Sequence, residues 1–198
     1  MKLVLASGSP YRKLLLTQLG IGFICVVPSL NEAELKAKMQ SEKCSPSEIA
    51  ERLSFEKGQS VFKDQTEDCL VISGDQLVTF DAKILGKPET SQNALAQLEM
   101  LNGKTHQLLT AISVLSAKEN LSYLHVSRLK MKTLSQQELI NYIRLDNPVD
   151  CSGSYKIEKH GITLFEEIEC DDFSAIQGIP LMWLSNYLKR RDYEFFAG

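Results

Sequence analysis

The sequence is poor in the residues that several classes of protein are built from. Its 198 residues include one tryptophan, three histidines and five cysteines. The cysteines, Cys25, Cys44, Cys69, Cys151 and Cys170, stand singly. Without a close pair there is no zinc or redox motif of the CxxC kind, and free thiols in a reducing cytoplasm are the expectation. His106, His125 and His160 share no spacing suited to a metal site or a triad. No apolar run approaches the roughly 20 residues that span a bilayer. The N-terminus has neither the basic region nor the long apolar stretch of a signal peptide, so a cytoplasmic protein without a membrane segment is expected. An excess of basic residues is also missing. The formal net charge is -3, which argues against a nucleic-acid partner held on a broad basic face. A small anionic ligand stays open, because a few local cations or a metal reverse the field inside one pocket. No repeat, low-complexity tract or linker rich in Gly, Pro and Ser divides the chain, and a single domain over residues 1–198 is expected.

What is present is an alternation of short apolar, β-branched runs with helical stretches, the pattern of an α/β protein. Leu3 to Ala6 reads as a buried strand, Tyr11 to Leu19 as a helix, and Phe23 to Val27 as a strand ended by Pro28. The polar stretch from Asn31 to Lys43 reads as a mobile flap. Ser45-Pro-Ser-Glu opens a helix that runs to about Val61. Cys69 to Asp75 is a clear strand, followed by a hairpin through Asp81-Ala82 that closes at Gly86-Lys87-Pro88. A helix over Ser91 to Leu101, strands over His106 to Leu115 and Leu121 to Lys132, and a capped helix over Ser135 to Asp146 follow. Gly161 to Ile168 is predicted as a strand and Ile179 to Arg190 as the final helix.

Several residues have chemistry to offer. A strand that enters a helix through Ser7-Gly8-Ser9-Pro10 brings hydroxyls and unpaired helix N–H groups to one sheet edge, and Arg12 in the first helical turn is placed to bridge phosphate oxygens. Plain capping by Ser9 with Pro10 at the first helical position explains the same letters. The segment is not a P-loop, and Ser7 and Ser9 lack the Gly-x-Ser-x-Gly context of a serine hydrolase. Asp75 ends an apolar strand, where a carboxylate either faces a cleft to hold a cation or activate water, or satisfies a turn. Lys57 and Lys87 read as phosphate contacts or as solvated charges, and Glu32 and Glu34 are unremarkable unless something near them needs an anion.

Taken in order, LASGSPYRKLLL, EKGQS, SGDQLV, LGKP, YIRLDNPVDCSGSYKIEKHGITLFEEI and IQGIPL resemble the Maf family of nucleotide pyrophosphatases, from Leu5 to about Leu188. The resemblance implies a fold similar to the inosine triphosphate pyrophosphatases: a long, twisted mixed sheet flanked by helices, with two lobes and a central cleft. It implies cleavage of nucleoside triphosphates to monophosphate and pyrophosphate with a divalent metal cation, Mg²⁺ or Mn²⁺, and a homodimer. Ser7 and Arg12 match the phosphate-gripping loop, and Lys57 and Lys87 the two phosphate-facing lysines. Glu32 matches an acid for the metal, Asp75 the proton acceptor and metal ligand, and Gln177 a residue near the site. Asn31 and Tyr11 depart from the aspartate and arginine more usual at their positions.

Tyr11, Gln76 and Glu158 together are similar to the 7-methyl-GTP branch rather than the branch that cleaves dTTP and UTP. The chemistry agrees. N7-methylation makes guanine a delocalised cation, on which an electron-rich ring stacks with roughly 0.5 to 2 kcal/mol of attraction. A carboxylate at Glu158 accepts from guanine N1–H and the exocyclic amine at once, whereas it repels the carbonyl edge of a pyrimidine. A salt bridge from Glu158 to Lys156 or Lys159 is the competing reading. A pyrimidine-nucleotide enzyme, or a nucleotide-binding regulator of cell division without turnover, are the alternative functions.

Overall fold

The computed structural model describes residues 2–65 and 69–196. Its seven strands are β1 (Lys2–Ala6), β2 (Ile24–Val26), β3 (Cys69–Phe80), β4 (Lys83–Leu85), β5 (Thr105–Leu115), β6 (Asn120–Met131) and β7 (Phe165–Glu169). They form one mixed sheet in the order β2-β1-β3-β5-β6-β7, with β4 paired to β3. β1 runs parallel to β2 and β3, whereas the β3–β4 and β6–β7 pairs are antiparallel. The helices among the described residues are α1 (Pro10–Thr17), α2 (Glu32–Ser41), α3 (Pro46–Phe62), α4 (Ser91–Leu101), α5 (Gln136–Asp146), α6 (Phe173–Ile176) and α7 (Leu181–Arg190). The α/β reading of the sequence is thus the architecture observed.

The chain forms two compact units. The first comprises residues 1–76, 110–125 and 172–198. β1 beyond Lys2 and the first half of β3 are buried on both faces, as in a parallel sheet covered by helices. Leu3 and Leu5 of β1 and Leu70 and Ile72 of β3 point to one apolar cluster, shared with Leu16 of α1 and Leu184 of α7. Val4, Ala6, Cys69 and Val71, one residue out of phase, point to another with Val61 of α3. A slip of one residue would exchange the two faces, so the register Leu3↔Leu70, Leu5↔Ile72 is specified by packing. α3 is opened by the capping box expected of Ser45 and Glu48: Ser45 Oγ accepts from Glu48 N at 3.3 Å, and Glu48 Oε2 accepts from Ser45 N at 2.7 Å.

The second unit comprises residues 77–109 and 126–171. The β3–β4 hairpin turns at Asp81 (φ 48°) and Ala82 (φ 62°), the double positive φ of a type I′ turn. α5 carries the second capping box, from Ser135 and Glu138, and packs against α4. Inside this unit the His106 ring meets Tyr155 and Phe165 at 5.5 and 5.8 Å between centroids. His106 Nε2 is 3.0 Å from the Tyr155 hydroxyl. Burial pulls the His106 pKa down to about 4. The unfolded chain, with an ordinary value near 6.5, binds a proton that the native state refuses. Stability is therefore full above that value and falls as the pH drops toward about 4, with about 2 kcal/mol lost between about pH 7 and about pH 5. Urea unfolding of the protein and of His106→Gln at both pH values checks this: the variant's loss should be smaller by that amount, and equal losses would refute it.

Two segments depart from the sequence-based expectation. Asn31 to Lys43 is not an irregular connection: it holds α2, capped by Asn31, whose Oδ1 accepts from Glu34 N at 3.2 Å and whose Nδ2 donates to Glu34 Oε2 at 3.0 Å. Only Met39 of this helix is buried, so it lacks the apolar stripe by which helices are recognised. Its Glu, Ala, Leu, Lys, Met and Gln content is nonetheless strongly helix-forming. Residues 161–168 are not one strand either. A 3-10 turn, His160–Leu164, precedes β7. Gly161 N donates to Lys156 O at 2.9 Å, and a Cβ on Gly161 would strike that same carbonyl. Asp146 Oδ1 and Oδ2 hold His160 Nδ1 and N, at 2.6 and 3.1 Å. These bonds curl the chain before it can pair with β6.

Candidate active site

Residues from three elements of the first unit converge on Lys57. It follows the buried face of α3 (Ile49, Ala50, Leu53, Ser54, Lys57, Gly58, Val61), so helical periodicity turns a lysine toward the sheet. Its ammonium is 2.6 Å from Asp75 Oδ1 on β3 and 2.7 Å from Glu32 Oε2 at the start of α2. Asp75 is only 6% exposed, and its Oδ2 has no hydrogen-bond partner among the described residues. A carboxylate oxygen withdrawn from water and left unanswered is costly, and here it is an acceptor ready for a ligand.

Arg12 stands on the same side. Its Nε donates to Gly178 O at 3.1 Å, which fixes the plane of the guanidinium. Burial lowers its pKa, while the charges of Asp75 and Glu32 work in the opposite direction, and a guanidinium remains protonated. Ser9 is the N-cap of α1, accepting from Arg12 N at 3.4 Å, with Pro10 in the first turn. Capping and ligand binding are thus compatible uses of one loop. Ser7, nearly buried, accepts from Ser9 N through Oγ at 3.1 Å and keeps its own O–H proton to donate. Tyr11 is exposed in the first turn of α1.

Gln76, the residue after Asp75, is engaged within the first unit. Its Nε2 donates to Thr110 Oγ1 at 2.9 Å and to Ala175 O and Ile176 O, both at 3.0 Å. Three acceptors saturate the amide nitrogen, so Gln76 ties β3 to the segment that carries Gln177. Gln177 itself ends α6 as its C-cap, and the following residue, Gly178, is the one that touches Arg12. Lys87 and Glu158 belong to the second unit, and both side chains are exposed. The Lys156 ammonium, one of the competing partners for Glu158, pairs with Asp150 Oδ1 at 2.9 Å. Burial, with Asp150 and Glu158 adding to it, pushes the Cys151 thiol up to about 12, which makes it inert as a nucleophile. None of the five cysteines is in a disulfide among the described residues.

Sequence reasoning passed over Gly58 and the buried hydroxyls. Ser73 Oγ donates to Ser54 O at 2.8 Å, and the Ser54 and Ser113 hydroxyls lie 2.9 Å apart, stitching α3 to β3 and β5. A Cβ on Gly58 would lie 2.6 Å from Ser73 Oγ and would overlap Leu115. The glycine lets α3 approach β3 closely enough for Lys57 to reach Asp75. The signal was the glycine after lysine in EKGQS, inside an otherwise well-formed helix.

Asp75 and Glu32 are hard oxygen donors, and the unpartnered Asp75 oxygen fits a divalent cation. Among the described residues no cluster of three or more His, Cys, Asp or Glu is placed to cage a metal. Two carboxylates completed by phosphate oxygens and water are the ordinary surroundings of Mg²⁺.

A mixed α/β sheet that sets a buried, half-satisfied carboxylate among two cations and a second carboxylate defines a protein that handles an anionic ligand. The chain belongs to the Maf-like protein family, which it matches over residues 2–191. It is 42% identical to the 7-methyl-GTP pyrophosphatase of Bdellovibrio bacteriovorus over 188 residues, 95% of this chain and 96% of that one. It is 36% identical to the protein of that name from Cupriavidus pinatubonensis over 99% of this chain and 96% of that one. Its identity to the one from Pseudoalteromonas atlantica is 37%, over 99% and 98% of the two chains.

Proposed function

We propose that this protein hydrolyses 7-methyl-GTP to 7-methyl-GMP and pyrophosphate, removing a modified nucleotide. Near-full-length similarity to relatives bearing that activity in their names carries the reading. The cluster around Asp75 supplies chemistry to match. Asp75 accepts a proton from a water whose oxygen attacks the α-phosphorus, the bond from that phosphorus to the bridging oxygen breaks, and pyrophosphate leaves. Arg12 and Lys57 oppose the negative charge that builds on the phosphates, and Ser7 donates its hydroxyl proton to a phosphate oxygen. A divalent cation, Mg²⁺ or Mn²⁺, held by Asp75 and Glu32, would add Lewis-acid neutralisation of phosphate charge.

Lys87 and Glu158 keep the roles the resemblance implies, a phosphate contact and a contact to the base. Tyr11 stacks on the cationic purine, and Gln76 acts by holding the segment before Gln177. Pyrophosphate release is the direct test, comparing 7-methyl-GTP with GTP, dTTP, UTP and CTP in Mg²⁺ or Mn²⁺. Preference for 7-methyl-GTP, weakened in Glu158→Gln and Tyr11→Ala, is the expected result. Preference for a pyrimidine nucleotide would keep the pyrophosphatase chemistry and overturn the base assignment. Tight binding without release would identify a regulator instead.

A further inference from the structure

The site on the first unit balances its own charge: Glu32 and Asp75 against Arg12 and Lys57. The two cations are held differently. Arg12 is fixed through Nε to the Gly178 carbonyl. Among the described residues the Lys57 ammonium is anchored by the carboxylates alone, 2.7 Å from Glu32 Oε2 and 2.6 Å from Asp75 Oδ1. Its ammonium therefore occupies the space from which a divalent cation would engage both acids. Lys57 and Asp75 are both buried, so solvent screens that half of the contact little, whereas the Glu32 side chain is half exposed.

We propose that Lys57 is a resident counter-ion that keeps the Glu32–Asp75 pair closed to free divalent cations and yields it by moving onto a phosphate of the incoming nucleotide. The inference rests on the proposed role of Glu32 and Asp75 as metal ligands. A dication added to the balanced cluster has to displace an ammonium that has nowhere better to go, leaving the site with excess positive charge. A triphosphate supplies that ammonium with new oxygens, and the flexible lysine stem with its three donors suits the transfer in a way the fixed guanidinium does not. The ammonium also spares the ligand-free protein an uncompensated buried carboxylate. Metal and nucleotide then assist each other's binding reciprocally.

The test is Mn²⁺ binding to the nucleotide-free protein, read from the spectrum of unbound Mn²⁺ by electron paramagnetic resonance. Lys57→Met and Lys57→Gln, both uncharged, should bind Mn²⁺ about ten- to a hundredfold more tightly than the unaltered protein. Equal or weaker binding by folded variants overturns the proposal. The unaltered protein gives a second readout that needs no folded neutral variant. In nitrogen NMR of lysine ammonium groups, the Lys57 signal, identified by its loss in Lys57→Arg, should stay in place with Mg²⁺ alone. It should move when Mg²⁺ is added with a non-hydrolysable α,β-methylene analogue of 7-methyl-GTP. Movement with Mg²⁺ alone overturns the proposal. Failure of the underlying reading looks different: the tight Mn²⁺ binding of Lys57→Met would then survive addition of Asp75→Asn, whereas metal ligation by Asp75 requires that it be lost.

Discussion

Asp75→Asn leaves a folded protein that releases almost no pyrophosphate. Asparagine has the shape of aspartate, and its carbonyl oxygen still accepts from the Lys57 ammonium that now lies 2.6 Å from Asp75 Oδ1. What disappears is the charge and the second oxygen, the buried Oδ2 that no described residue answers. An amide neither takes a proton from water nor offers a dication a second anionic ligand. Losing a general base lowers turnover by on the order of 10²- to 10⁴-fold, and loss of a ligand for the proposed cation would push the result toward the upper end. Stability should change far less, because Glu32 still pairs with Lys57 at 2.7 Å. Steady-state release of pyrophosphate together with urea unfolding checks both halves. Turnover within tenfold of the unaltered protein would remove Asp75 from the proton-acceptor role; collapse of the fold would assign it to stability instead.

Gly58→Ala should damage the same site without touching a charged group. The added Cβ would lie 2.6 Å from Ser73 Oγ and inside the space of Leu115, so those two buried side chains must turn aside or α3 must withdraw from β3. Overpacking of this kind costs about 1–3 kcal/mol. The shift would also stretch the hydroxyl bonds at Ser54 and Ser73 and move Lys57 away from Asp75. A misplacement of about 1 Å in a positioned group lowers rate by roughly 10²-fold. Denaturant midpoints and kcat together provide the check. A loss of stability with kcat unchanged would show that the Lys57–Asp75 distance does not limit turnover, and no change in either would show that α3 has room to spare.

Local rules carried the sequence reading a long way. The α4 span, the Asp81-Ala82 turn and both capping boxes depend on residues within a few positions of one another, and each was legible for that reason. The family resemblance also singled out Arg12, Lys57, Glu32 and Asp75 as candidates, four residues spread over 64 positions of sequence. Where local signals were weak the reading failed. α2 has a single buried residue and so no stripe, and the turn before β7 is held by Asp146, fourteen residues upstream of His160.

The sequence by itself determined most of the elements and the types of group available for chemistry, because helix and strand periods, caps and turns are properties of short segments. Only the tertiary structure decided what those groups do to one another. Lys57 faces two acids because α3 rides close over β3 at Gly58, Arg12 is set by a carbonyl 166 residues away, and Asp75 keeps one oxygen unanswered. Each of these follows from packing between distant segments, whose distances and desolvation no local pattern encodes.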